Sequence, residues 1–230
     1  MNATFFVVGD WVDKYPESVK ALSAAGNEVM NHSSDHAHFA KLSADEIKAN
    51  VSKCSDKIEA VTGVRPTLFR CPYGEYNDTV VSTVNSMGMQ TVQWSVDSLD
   101  WKGISAQEIT DRVMKNVKPG SIILFHNAAE NTPEALPGIL EGLIKQGYNV
   151  VPISKLLLTG DCTIDSTGCQ CPLLTAPVGS AAPQTASPAS PSVTGNAAQT
   201  GAVVSPAPAA SPAPSQICPP AASQAPAPNA

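Results

Sequence analysis

Four short apolar runs each end on residues able to do chemistry. Asn27–Met30 leads into Asn31, His32, Ser33, Ser34, Asp35 and His36. Pro66–Phe69 leads into Arg70, Cys71, Pro72 and Tyr73; Thr91–Val96 into Asp97, Ser98, Leu99, Asp100 and Trp101; and Ser121–Phe125 into His126. His32 and His36 can meet one divalent cation if the chain between them is a loop or one helical turn, although a hydrolytic metal usually takes three protein ligands. The plainer reading is two surface histidines. Asn31 and Ser33 suit hydrogen-bond support of such ligands. Arg70 at a strand end either orients a carboxylate by a bidentate pair or makes a surface salt bridge. Pro72 fixes a turn that would aim the Tyr73 N–H into a pocket, where it could stabilise an oxyanion. One carboxylate of Asp97 and Asp100 could tune a histidine. Trp101 either stacks on a sugar face or caps the core. His126 is a candidate general acid, since an imidazole titrates near neutrality; otherwise it is a buried, satisfied histidine. His38 reads as a surface or packing residue.

The elements that must position these residues repeat one unit of strand, loop, helix and glycine. Ser43 with Glu46, and Ser105 with Glu108, are capping boxes that open two helices. Ile47, Val51, Cys54, Ile58 and Val61 form a stripe at helical spacing, stopped by Gly63. A helix over Asn77–Met87 turns Val80, Val84 and Met87 inward. The helix after Ser105 does the same with Ile109, Val113 and Val117. Pro133 follows Thr132 at the start of the last long helix, and an earlier helix covers roughly Asp10–Ala25. Strands are expected at Thr4–Val8, Glu28–Met30, Thr67–Phe69, Thr91–Val96, Ile122–Phe125 and Asn149–Ile153. Such apolar strands suit a parallel sheet buried on both faces. Polar residues ending four of them favour barrel geometry, in which all strand ends open on one pocket. Six strands are few for a closed barrel.

Composition divides the chain. Residues 166–230 contain no Asp, Glu, Lys or Arg and are mostly Ala, Pro, Ser, Thr and Gly. Such a stretch cannot bury enough apolar surface to offset chain entropy. The expected organisation is a globular domain over 1–158 and a low-complexity, disordered tail or linker over 159–230. The net charge is −6, and −4 remains once Asp161 and Asp165 are set aside. No basic run suggests nucleic acid, and no 18-residue apolar run suggests a membrane span. The opening Met1-Asn2-Ala3-Thr4-Phe5-Phe6 reads as an internal strand and not as a signal peptide. Cys162 bonded to Cys169 or Cys171 is one expectation for the tail, and free thiols are the other. No G-x-S-x-G elbow, Walker motif or G-x-G-x-x-G occurs.

Over about residues 2–158 the sequence resembles the NodB-type polysaccharide deacetylases. The residues that carry the likeness are the Ala3–Gly9 strand, N-H-S-x-x-H at Asn31–His36, R-x-P-Y-G from Arg70, D-x-x-D-W at Asp97–Trp101, and I-L-x-H at Ile123–His126. The resemblance implies a distorted (β/α) barrel and a divalent metal, zinc by expectation, held by His32 and His36. It implies that Arg70 holds the catalytic base, that the Tyr73 N–H binds the oxyanion, and that Leu124 lines the acetyl pocket. His126 would be the acid, with Asp97 among the catalytic residues and Tyr73 and Trp101 toward substrate. The implied reaction is hydrolysis of N-acetyl groups on a GlcNAc-containing polysaccharide, peptidoglycan or chitin-like. An extracellular or cell-wall location of the full-length form goes with it.

The family's T-F-D-D-G segment, which supplies the base and the third metal ligand, does not occur in these 230 residues. The chain is therefore expected to be a fragment or truncated product, lacking the first barrel strand, with weak metal binding and impaired hydrolysis. Two alternatives stand beside this reading: a non-catalytic truncated barrel with residual sugar binding, and an O-acetyl esterase using the same site.

Overall fold

A computed structural model describes residues 1–173 and the backbone of residues 216–217. Strands β1 (Thr4–Val7), β2 (Glu28–Asn31), β3 (Leu68–Phe69) and β4 (Gln90–Thr91) form a parallel sheet in sequence order. A second parallel pair joins β5 (Val96–Asp97) to β6 (Ile123–Leu124). Helices α1 (Gly9–Lys14), α2 (Pro16–Ala24), α3 (Ala44–Thr62), α4 (Asp78–Ser86), α5 (Ala106–Asn116) and α6 (Thr132–Lys145) alternate with the strands. A short helix α7 (Ile153–Leu156) follows α6.

Both capping boxes form, at Ser43 with Glu46 and at Ser105 with Glu108. The α3 stripe buries Ile47, Val51, Cys54 and Ile58 completely. Phe39, Phe69, Val80 and Val84 pack on one end of that stripe, and Val7, Val12, Val19 and Val29 on the other. A separate cluster of Val96, Ile109, Val113, Ile139 and Leu143 seats α5 and α6 beneath β5 and β6.

Four sequence expectations need correction. The helix over Asp10–Ala25 is two helices, because Tyr15 takes a non-helical conformation (φ −134°, ψ 54°) ahead of Pro16. A residue before proline is pushed out of the helical region by the ring. The strand over Thr91–Val96 is broken at Gln93-Trp94-Ser95, so that β4 pairs with β3 and β5 pairs with β6. That break turns the sheet, and the Val92 and Gln93 carbonyls it frees are taken by the Arg70 guanidinium. The strand expected at Asn149–Ile153 does not form: residues 149–152 are irregular and Ile153 begins α7. Among the described residues β1 pairs only with β2, and β6 only with β5, so this run has no neighbouring ladder. It is tied instead by the Ile153 N–H to the Thr4 hydroxyl at 2.8 Å and by Ser154 to Glu28. The circuit of strands is therefore open between β1 and β6. A cavity of about 410 Å³ lies there, lined by Thr4, Arg70, Ile123, Phe125, Leu140 and Val150 among others.

The fourth correction concerns the tail. Residues 162–164 and 169–172 form an antiparallel hairpin, β7 (Cys162–Ile164) with β8 (Cys169–Pro172). The backbone of a last strand β9 (Gln216–Ile217) pairs with β8 in parallel. The buried Gln170 accepts from the Leu158 N–H at 2.8 Å. The low-complexity reading of 159–230 thus fails over its first residues, where the sequence regains an alternating pattern. The remainder lies outside the described residues. Cys162, Cys169 and Cys171 are free thiols. The register sets Cys162 opposite Pro172 and Cys171 opposite Thr163, so Cys162 and Cys171 occupy opposite faces of the hairpin.

Candidate active site

His32 follows β2, and its ring is fixed by one hydrogen bond. The Arg70 carbonyl accepts from Nδ1 at 2.8 Å, which sets the tautomer and leaves the Nε2 lone pair free. Burial pushes the His32 pKa down to about 4, so the imidazole is neutral at physiological pH, as a ligand must be. The His36 ring lies 5.0 Å from that of His32, edge to face. Burial, followed by the charge of His38, also lowers its pKa.

The loop between the two histidines is shaped by Asn31. This fully buried amide donates to the Val51 carbonyl at 2.8 Å and the Ser55 hydroxyl at 2.9 Å, and accepts from the Ser33 N–H at 2.8 Å. It holds Ser33, whose hydroxyl accepts from the His36 N–H at 2.8 Å, and both residues take left-handed conformations (φ 73° and 58°), which non-glycine residues seldom adopt. Gly9 lets the loop come close: a Cβ there would sit 3.1 Å from Ser34 backbone atoms. Asn31→Ala is expected to cost about 2–4 kcal/mol, since each buried group left without a partner costs about 1–3 kcal/mol. A urea midpoint within error of the unaltered chain would show that the loop is held by other contacts.

Arg70 leaves β3 and is 7% exposed. Among the described residues its guanidinium donates to the Val92 and Gln93 carbonyls, at 3.4 and 3.0 Å, and it lies 4.2 Å over the Phe6 ring. Burial lowers its pKa to about 9, so it remains a cation at neutral pH. Among the described residues no Asp or Glu forms an ion pair with it. Two residues on, Pro72 opens a tight turn with Tyr73 at φ 59° and Gly74 at φ 69°. A Cβ on Gly74 would meet the Trp94 ring at 2.7 Å. The turn's hydrogen bonds run from Gly74 N–H to Cys71 and from Glu75 N–H to Pro72. The Tyr73 N–H donates to no described residue.

His126 follows β6. Its Nδ1 lies 2.7 Å from Asp100 Oδ1, and its backbone N–H donates to Asp100 Oδ2 at 2.8 Å. The Thr132 hydroxyl, at the first turn of α6, donates to the same oxygen at 2.7 Å. Burial pushes the Asp100 carboxyl up, but these three donors outweigh it and hold the pKa at about 2. Asp97, read from the sequence as a catalytic carboxylate, turns away from His126. Its side chain accepts from the Leu99 N–H at 2.9 Å, and its carbonyl accepts from Arg112. The carboxylate that reaches the histidine is Asp100.

Leu124 is buried on β6 in register with Asp97. Trp101 is 56% exposed beside Lys102, so it does not cap the core. His32 and His126 both follow the carboxyl ends of parallel strands, and His126 lies near enough for a charge on it to lower the pKa of both His32 and His36. Sequence reasoning set His38 aside, yet its ring stacks on Tyr73 at 4.3 Å. Its spacing from His36 gave no reason to couple it to a turn 35 residues away. Thr132 was read only as a helix opener.

His32 Nε2 and the His36 ring could offer two imidazole nitrogens to a metal, but among the described residues no group of three His, Cys, Asp or Glu could hold an ion. The Cys54 and Cys71 thiols, both pushed by burial to about 12, offer no thiolate.

The family model for Polysaccharide deacetylase matches residues 1–92. The chain is 40% identical over 155 residues to the peptidoglycan-N-acetylmuramic acid deacetylase PdaC of Bacillus subtilis, covering 67% of this chain and 32% of that protein. It is 39% identical over 161 residues to a peptidoglycan-N-acetylglucosamine deacetylase of Bacillus cereus, covering 68% and 75%. A second Bacillus cereus deacetylase of the same description is spanned over 59% of its length. Among solved structures, a CE4 family pseudoenzyme from Bacillus anthracis superposes with a TM-score of 0.66 at 37% identity, over 68% of this chain and 55% of that one.

Proposed function

Since this chain belongs to the polysaccharide deacetylase family, we propose that its strand-end mouth is built to hydrolyse the N-acetyl groups of a peptidoglycan-type glycan. Three of the relatives just described carry that activity in their names, one toward N-acetylmuramic acid and two toward N-acetylglucosamine. The observation that carries the reading is the presence of two unlike histidine sets at the ends of parallel strands. His32 and His36 are neutral and partly buried, with a free ring nitrogen on His32. His126 is clamped by the Asp100 carboxylate.

The reaction consumes water and one acetamide and yields acetate and a free amine. A divalent cation, zinc by the chemistry of the two imidazoles, would sit on His32 Nε2 and His36 and would polarise the acetyl oxygen and a water. The residues of this chain do the rest. The Tyr73 N–H donates to the developing negative oxygen, where a fixed donor acts most strongly. Asp100 accepts from His126 Nδ1–H, so that a ring protonated on both nitrogens keeps its Nε2–H toward substrate and can hand that proton to the departing amine. Trp101, exposed at the rim, offers a flat face to a sugar ring. Arg70 is a buried cation suited to orient a carboxylate base. That carboxylate is not among the described residues, so water activation is the weak step.

Weak zinc binding follows from two ligands with no negative charge to offset the ion. Calorimetric titration of the 230-residue chain should show an affinity lost in His36→Ala and far below that of a chain carrying T-F-D-D-G ahead of Met1. Tight, stoichiometric binding by the 230 residues alone would mean that another side chain completes the site. Binding indifferent to His36→Ala would remove the metal from this mouth.

A further inference from the structure

We propose that His38 and Glu75 form a latch that positions Tyr73, holding its ring and thereby aiming its backbone N–H into the mouth. The proposal rests on the reading of that N–H as the oxyanion donor. It starts from a conformational problem. Tyr73 carries φ 59° and ψ 4°, the left-handed region that a residue with a Cβ occupies only when its surroundings hold it there. The backbone alone holds it loosely. The two hydrogen bonds of the turn belong to Gly74 and Glu75, and Gln93 Nε2 fixes the Gly74 carbonyl at 2.9 Å. None of these is made by Tyr73 itself.

What grips Tyr73 is its ring, from two sides and from one loop. His36 meets it edge-on, with centroids 4.5 Å apart at 72°. His38 lies flat against it, at 4.3 Å and 15°. His38 is in turn anchored by Glu75, two residues beyond Tyr73, through Nδ1 to Oε2 at 2.9 Å. The contacts close a circle: the loop after β2 carries His38, His38 stacks on Tyr73, and the turn that contains Tyr73 reaches back with Glu75 to hold His38. Rotation of Tyr73 out of its left-handed state would have to break the stack. With the ring fixed, the N–H on the other side of the same Cα points where the turn leaves it, unpaired.

Neither His38 nor Glu75 is needed to fill the core, since both are exposed at the rim. A purely structural role would therefore show as lost stability, and a positioning role would not. The test uses the 230-residue chain and the variants His38→Ala, His38→Phe and Glu75→Gln. Amide exchange at Tyr73 and Gly74, followed by nitrogen-15 NMR, reads the latch directly. Initial rates of acetate release from zinc-supplemented N-acetylglucosamine oligomers read its use. His38→Ala should speed exchange at Tyr73 and lower kcat about tenfold, a fraction of what full loss of an oxyanion donor costs. KM and the urea midpoint should stay nearly constant. His38→Phe keeps the stacked ring and should recover most of both effects, and Glu75→Gln should fall between. Unchanged exchange at Tyr73 in His38→Ala would overturn the latch. Faster exchange with unchanged kcat would overturn the positioning role. If the unaltered chain releases no acetate, the rates are read in the chain extended with T-F-D-D-G, where no acetate release would overturn the deacetylase reading by itself, and the exchange measurement still upholds or overturns the latch.

Discussion

Asp100→Ala will cost this protein on the order of 2–4 kcal/mol of stability and most of whatever hydrolysis it performs, whereas Asp97→Ala will cost far less of either. Asp100 is 2% exposed and takes three hydrogen bonds, from His126 Nδ1, the His126 N–H and the Thr132 hydroxyl. Truncation leaves all three donors without a partner around a side chain that is fully buried. It also removes the anion that pairs with Nδ1–H of the doubly protonated His126 ring, the form whose Nε2–H must serve the leaving amine. Losing a correctly held acid costs about 10²–10⁴-fold in rate. Asp97 makes one local bond to the Leu99 N–H and has no such network to lose.

The pH dependence carries the same signature. The Asp100 carboxyl is held at about 2 against an ordinary 3.8. Its contribution to stability is complete above the ordinary value and is lost as the pH falls through about 2. Asp100→Asn should therefore flatten the acid end of a stability curve measured between pH 5 and 2. Equal effects of the two aspartate substitutions on the urea midpoint and on acetate release would mean that the His126–Asp100 contact does not organise the mouth.

The preference of the sequence reading for Asp97 over Asp100 has a physical cause. D-x-x-D places two carboxylates near a strand end, but which one turns inward depends on the tight turn at Leu99 (φ 58°) and on Thr132, 32 residues later. Neither is visible as a spacing. The strand ends themselves were legible, because apolar runs stop where the backbone leaves the buried sheet, and His32, Arg70 and His126 all lie at such stops. The helices were legible from their caps and stripes. What failed were elements whose state is set by neighbours. The run at Asn149–Ile153 has the composition of a strand but no ladder to join, so it is irregular and then helical. The tail between Cys162 and Pro172 has a low-complexity flank yet folds back as a hairpin, since Gln170 finds a buried partner in Leu158. His38 was set aside because its importance lies in Tyr73, and only the fold brings the two together.

Supplying a T-F-D-D-G segment ahead of Met1 should raise acetate release from N-acetylated oligosaccharides by about 10²–10⁴-fold for the base alone, with a further gain from the completed metal site. Three features of the structure prepare the place for it. Arg70 is a buried cation whose described acceptors are carbonyls only, and an unpaired buried charge is costly until a carboxylate meets it. His32 and His36 offer two ligands where a hydrolytic metal takes three. The strands are open between β1 and β6, with about 410 Å³ of mostly apolar space between them, so an added strand would also satisfy the free edge of β1. One segment therefore answers a charge, a coordination and a packing deficit together, and its effect should appear in three separate readouts. Zinc affinity should rise, the urea midpoint should rise, and the rate should rise. Changing the first aspartate of the added segment to Asn should remove the rate gain while leaving most of the gain in stability. Changing the second should remove the gain in zinc affinity. A 230-residue chain as active as the extended one would show that water is activated by a group already present, and the division of roles assigned to this mouth would have to be redrawn around it.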